Sequence, residues 1–387
     1  MKKLKTLLLI ALSISLFNCN AKTSKTNNTI NEKLLAINQK PTPKKTTIKV
    51  ALLLDTSNSM DGLIDQAKSQ LWKIINQLSY AKCEHVTPNL QIALYEYGND
   101  DLEKSDGYVR QVIGFSSDLD EISERLFSLD TNGGSEYCGT VIKSSLKDLK
   151  WGKNDNDLNI IFIAGNEAFT QGNDSYKNVI IDAVEKDITI NTIFCGDYQN
   201  GVSGKWQDAA RLGKGEFLTI NHNKHIVHVS TPYDDIIIQL NKRLNKTYIR
   251  YGSNGYKKMT LQATQDDNAY EMAEEVVVAR AVSKSSKTYN NASWDLVDAK
   301  KDATFKIEKI DKSTLPKELQ NKNTTELKKY IADKENERTT IQKEIQKVNK
   351  QRSQYLSKQE NKNTGDELES VMINAIKNQA KKKNYTW

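Results

Sequence analysis

Cysteine is scarce in this chain of 387 residues, four in all, and no two stand in a Cys-x-x-Cys spacing. A zinc knuckle and a thioredoxin-type redox site are thereby set aside. Ser57 and Ser59 are not framed as Gly-x-Ser-x-Gly and have no histidine near them in sequence, so nucleophilic catalysis finds no local support. Gly133-Gly134 is not followed by a Walker lysine, and the turn after the first strand lacks a glycine cradle, which argues against phosphate binding. Three of the four histidines, His222, His225 and His228, recur every three residues. Ile226, Val227 and Val229 give that stretch a strand character, and a strand would not align the imidazoles as ligands of a transition metal. No repeat of solenoid period is present. Nor is any apolar run as long as a membrane span.

What is there begins with Lys2, Lys3 and Lys5 ahead of the apolar stretch from Thr6 to Phe17, which has the charge and length of a signal peptide. Leu16-Phe17-Asn18-Cys19 is similar to a bacterial lipobox, so residues 1–19 are read as a leader whose Cys19 becomes the lipidated amino terminus. The competing reading is a secretory leader in which Cys19 is incidental. Residues 20–45, rich in Asn, Thr and Lys and carrying Pro41 and Pro43, read as a flexible tether with a stiffer end. The expectation is an exported lipoprotein anchored to a membrane of the bacterial cell envelope, at the periplasm or the cell surface. The total charge of +7 divides into +8 over 1–45, −7 over 46–252 and +6 over 253–387. The basic excess thus lies outside the middle segment, which argues against nucleic-acid binding by a folded domain and places basic chain near anionic headgroups.

Within 46–252 the apolar run Ile48 to Leu54 reads as a strand covered on both faces. Leu63, Ala67, Leu71, Ile74, Ile75 and Leu78 follow at helical spacing. Strands are expected at Leu90–Tyr97, Tyr108–Phe115, Leu158–Ile163, Ile188–Phe194 and Gly215–Ile220, with helices between them and a last helix at Tyr233–Leu244. The strand at 108–115 follows its predecessor closely enough to pair antiparallel. This rhythm implies an α/β fold with a doubly wound, mostly parallel sheet and one antiparallel edge. Beyond 252 the strand-like runs vanish and the region 253–387 reads as helical. A helix is expected over Asn268–Val282. Leu327, Ile331, Ile341, Ile345, Val348 and Tyr355 mark a long surface helix or loose coiled coil, with Lys334, Arg338 and Arg352 on its seam. Leu368, Val371, Met372, Ala375 and Ile376 mark a partner helix, so that 326–383 forms a helical hairpin turning at 361–365.

The chemistry concentrates at Asp55-Thr56-Ser57-Asn58-Ser59, which leaves the carboxyl end of the first strand, the place where an open α/β sheet puts its ligands. One carboxylate and two hydroxyls are hard oxygen donors suited to a small divalent cation, and they leave coordination positions open. The bland alternative is a turn and helix cap built from the same residues. In this setting the motif resembles the metal-ion-dependent adhesion site of von Willebrand factor A domains, and the order of strands and helices over 46–252 resembles that fold. The resemblance implies an ion, Mg²⁺ or Mn²⁺, held directly by Ser57 and Ser59 and through water by Asp55. Ser135 of Gly133-Gly134-Ser135 stands in the second-loop position, and the third loop supplies Glu167 or Asn166, where the family often has Thr-Asp-Gly. Glu136 is a further oxygen donor. It also implies a non-enzymatic module that engages a protein partner through an acidic residue. Two alternatives stand beside it: a metal-dependent envelope hydrolase with Glu167 or Glu136 as general base, and a scaffold with a degenerate site. Cys138 and Cys195 both fall toward the carboxyl edge of the sheet and Cys83 toward the other, so a disulfide, if one forms, would join Cys138 to Cys195. The alternative is three buried thiols.

Overall fold

The alternation of apolar side chains along the first strand, β1 (Thr47–Asp55), fixes the architecture. Ile48, Val50 and Leu54 enter one hydrophobic cluster and Ala51 and Leu53 another, so β1 is covered on both faces. The computed structural model describes residues 46–152, 154–221, 229–359 and 368–387. The leader, Cys19, the tether, His222, His225 and His228, and the expected turn at 361–365 lie outside the described residues.

After β1 come α1 (Asp61–Ser79), β2 (Lys82–Cys83), β3 (Asn89–Tyr97), β4 (Val109–Ser116), α2 (Leu119–Phe127) and α3 (Cys138–Asp148). The domain continues through β5 (Leu158–Gly165), α4 (Tyr176–Glu185), β6 (Ile188–Cys195), α5 (Trp206–Leu212), β7 (Lys214–Ile220) and α6 (Asp234–Asn245). The sheet order is β4-β3-β1-β5-β6-β7. All neighbours are parallel except β3 with β4. The doubly wound sheet with one antiparallel edge is therefore as the strand spacing implies. Registers place Asp55 beside Tyr97 and Leu54 beside Ala164, so the carboxyl ends of β1, β3 and β5 form one rim.

The chain after residue 252 is helical: α7 (Gly255–Met272), α8 (Glu274–Lys284), α9 (Thr324–Gln359) and α10 (Leu368–Lys381), then a short strand β8 (Tyr385–Thr386) that pairs antiparallel with β2. The single helix expected at 268–282 is in fact two, because Ala273 is fully extended and breaks the spacing. Glu274 and Glu275 then occupy the first turn of α8, where the helix dipole favours negative charge. Val276, Val277, Ile341, Ile345, Met372 and Ile376 join the cluster that holds Ile48 and Val50, so the helical region shares a core with the sheet. Two of its seam cations meet carboxylates: Arg338 meets Asp295 at 2.6 Å and Arg352 meets Asp234 at 2.6 Å. Among the described residues no helix is long and apolar enough to cross a membrane.

Candidate metal centre

Three loops meet at the rim. Asp55 ends β1 fully buried, and its Oδ1 accepts the backbone N–H of Ser57 at 2.8 Å, an Asx turn that throws the chain outward toward α1. The Ser57 and Ser59 hydroxyls lie 3.3 Å apart. Ser57 is buried and Ser59 is exposed. The second loop is laid on the first: the Asn132 N–H donates to the Thr56 carbonyl at 3.0 Å, and the Asp100 N–H donates to the Gly133 carbonyl at 3.2 Å. Gly134, with φ of +136°, presses against Gly98, and a Cβ there would stand 2.2 Å from the Gly98 carbonyl oxygen. No other residue fits that approach. The half-buried Ser135 follows, then the buried Glu136. The third loop reaches the first through Asn166, whose Nδ2 donates to the Ser59 hydroxyl at 3.0 Å.

Beneath these loops Tyr97 forms the floor. Its phenol donates to the Ala164 carbonyl at 2.9 Å and accepts a weak contact from the Cys138 thiol at 3.8 Å. Two glycines make room for Asp55. A Cβ on Gly165 would lie 2.6 Å from the Tyr97 hydroxyl and 3.0 Å from Asp55 Oδ2; one on Gly98 would lie 2.7 Å from Glu136 Cγ and 3.0 Å from Asp55 Oδ1. Asp55 and Glu136 therefore flank a single small volume.

Three oxygens at this rim are buried and have no hydrogen-bond partner: Asp55 Oδ2, Glu136 Oε2 and Asn166 Oδ1. Such groups cost free energy unless something binds them. Burial, reinforced by neighbouring carboxylate charge, pushes the Asp55 carboxyl up to about 7 and the Glu136 carboxyl up to about 8. A dication would supply what both lack, so the donor set fits a hard, oxygen-seeking metal ion.

Of the residues expected from sequence, Asp55, Ser57 and Ser59 form one turn, and Ser135 lies on the adjoining loop. Glu167 is exposed at the margin of the rim, where its Oε2 accepts from Gln171 Nε2 at 3.4 Å and its charge still acts on Asp55 and Glu136. Asn166 is the third-loop side chain in contact with the first loop. Among the described residues, no three His, Cys, Asp or Glu side chains converge as metal donors, so an ion at this rim would depend on hydroxyls. The Cys138–Cys195 bridge is not formed; Cys83, Cys138 and Cys195 are free, buried thiols. Burial raises the Cys138 and Cys195 thiols well above their ordinary range, the behaviour of inert fillers. Sequence reasoning missed Tyr97 and Gly165. The signal for Tyr97 was a polar-tipped aromatic ending a strand next to the motif strand.

An open α/β sheet with an Asp-x-Ser-x-Ser turn at the end of its central strand is the arrangement of an A-type domain. The sequence pattern of the von Willebrand factor type A domain matches residues 49–210, and the chain carries a domain of that family. Domains of this family commonly mediate protein–protein interaction, and they often have a metal site. Similar solved structures include BatB, a conserved hypothetical protein from Bacteroides thetaiotaomicron, 15% identical over 45% of this chain and 90% of that one, with a TM-score of 0.35. An aerotolerance-related membrane protein from Bacteroides fragilis is 15% identical over 46% of this chain and 93% of that one, with a TM-score of 0.31. Proximal thread matrix protein 1 of the mussel byssus, solved with zinc in its MIDAS motif, is 12% identical over 46% of this chain and 43% of that one, with a TM-score of 0.35. No curated protein matches the chain.

Proposed function

We propose that this protein binds a protein partner through a divalent cation, Mg²⁺ or Mn²⁺, held at the rim of its A domain. Asp55, Ser57, Ser59 and Ser135 would hold the ion, with Asn166 and Glu167 on the third loop. The ion would supply a Lewis-acidic position open to an oxygen of the partner. The observation that carries the reading is the set of three buried, unpartnered oxygens contributed by three different loops. The basic leader and the lipobox-like Cys19 segment support a location on an exported, lipid-anchored chain in the cell envelope. An acidic partner residue is what an ion carrying a single protein carboxylate would select.

The test is a thermal and calorimetric titration of the purified protein with Mg²⁺ and Mn²⁺. One ion per chain is expected, and at a hundred times its dissociation constant it should stabilise the fold by about 2.7 kcal/mol. Asp55→Ala should abolish both the binding and the capture of a partner that chelator releases, while leaving the circular dichroism of the fold intact. A wild-type protein that neither binds nor is stabilised by either cation would sink the proposal.

A further inference from the structure

We infer that Glu136 is a second carboxylate supplied to the ion by the chain itself, so that the bound dication is charge-neutral and its open position takes a neutral oxygen donor of the partner, an amide or hydroxyl, in preference to an acidic side chain. This rests on the metal reading above and concerns the charge of that same site.

The position of Glu136 is difficult to explain otherwise. It sits on a surface loop, where an exposed carboxylate costs nothing, yet only 6% of its surface is accessible and its Oε2 has no partner. The loop that carries it is held in place by the Gly134 approach to Gly98 and by the Asn132 bond to Thr56, so the side chain is committed to the interior of the rim. There it lies across the Gly98 gap from Asp55. The charges that act on it are those of Asp55 and Glu167, both negative. Two carboxylates flanking one buried gap, each with an unpartnered oxygen, repel one another unless a cation or a shared proton lies between them, and a dication would answer both charges.

The consequence follows from charge. With Asp55 as its one anionic neighbour a dication keeps a net positive charge, and a partner's carboxylate is its natural complement. With Asp55 and Glu136 both present the charge is cancelled. A further carboxylate would then bring net negative charge into the gap, and the exposed Glu167 nearby would add to the repulsion. Hydroxyl and amide oxygens carry no such penalty, and they satisfy the hardness of Mg²⁺ or Mn²⁺ equally well.

Mn²⁺ is the probe, because its paramagnetism reports on whatever enters its coordination sphere. The full chain is titrated with Mn²⁺ by electron paramagnetic resonance, and acetate is then added while its methyl-proton relaxation is followed. The wild type should bind one Mn²⁺ and give little acetate relaxation. Glu136→Gln, which keeps the shape and removes the charge, should weaken Mn²⁺ binding tenfold or more and open the ion to acetate. Strong acetate relaxation on the wild type, a measurement that needs no variant, would overturn the inference while leaving the metal reading intact. So would Glu136→Gln binding Mn²⁺ as the wild type does. A wild type that binds no Mn²⁺ would remove the metal reading itself, and the inference with it.

Discussion

Arg280 offers the sharpest test of how the helical region is held to the A domain. It lies in α8, 1% exposed, and reaches three elements at once. Nη1 donates to Asp120 Oδ1 of α2 at 2.8 Å, Nε donates to Asp266 of α7, and Nη2 donates to the Gln262 carbonyl at 2.8 Å. The guanidinium also lies over the Trp72 ring of α1, 4.6 Å from its centroid. Substituting Arg280→Met keeps much of the stem volume and removes every one of these contacts. Asp266 retains Lys284 at 2.9 Å, but Asp120 is left buried with only the Tyr289 hydroxyl. Breaking a buried ion pair from one side costs about 3–5 kcal/mol, a large fraction of the 5–15 kcal/mol typical of a folded domain. The assay is equilibrium unfolding in urea followed by tryptophan fluorescence. A loss of about 4 kcal/mol is expected, and the double variant Arg280→Met/Asp120→Asn should recover at least half of it, because the orphaned charge is gone. A loss below about 1 kcal/mol for Arg280→Met would refute the view that this cluster joins the two regions.

Two further outcomes concern Asp266 and Gly165. Lys284 and Arg280 beside Asp266 hold its carboxyl well below the usual carboxylate range in spite of its burial. Its ionised form therefore stabilises the fold at every pH above the unfolded value near 4, and that contribution is lost as the pH falls below it; Asp266→Asn should be less stable at neutral pH and should flatten the acid limb of the melting curve between about pH 4 and 2. At the rim, Gly165→Ala would push a methyl to within 2.6 Å of the Tyr97 hydroxyl and 3.0 Å of Asp55 Oδ2. Cation affinity should fall at least tenfold by calorimetry, with about 1–3 kcal/mol of overpacking cost in denaturant; unchanged affinity would show that Asp55 Oδ2 is not needed.

The sheet was legible because its central strands β1, β5 and β6 are largely apolar on both faces and its helices carry stripes of Leu, Ile and Ala, so periodicity and burial agree. The motif turn was legible for a related reason: Asp55, Ser57 and Ser59 are polar where the chain has just been uniformly apolar. Helix α7 was hidden because the face it buries is polar, with Gln262, Gln265 and Asp266 turned inward, while Tyr256 and Met259 are exposed. An amphipathic reading looks for the reverse. Arg338 and Arg352 read as flaws in a seam for the same reason: what makes them tolerable, Asp295 and Asp234, comes from distant segments. The third loop failed differently. Asn166 and Glu167 are adjacent and chemically plausible alike, and only the path of the backbone out of β5 decides which one meets Ser59.

The helical region closes on the sheet at the end opposite the candidate site. Lys383 donates to the Asp157 carbonyl at 2.7 Å, just before β5 begins; the Tyr385 phenol donates to the Asn156 carbonyl at 2.9 Å; and Trp387 donates to the Gln77 carbonyl near the end of α1. The β2–β8 pairing lies there too, ahead of β3. Meanwhile α8 and α10 pack along α1, filling the face that Ile48 and Val50 present. The carboxyl ends of β1, β3 and β5 are bounded instead by their own loops, with Ser59, Gly134 and Glu167 exposed. On the proposed reading a partner at that rim would meet the loops that carry Ser59, Gly134 and Glu167, while the apolar surface that α8 and α10 bury against α1 is not on offer to it. Recognition through a cation at this rim would then come from the loops and the charge they hold, so the number of carboxylates beside the gap would weigh directly on the choice of partner.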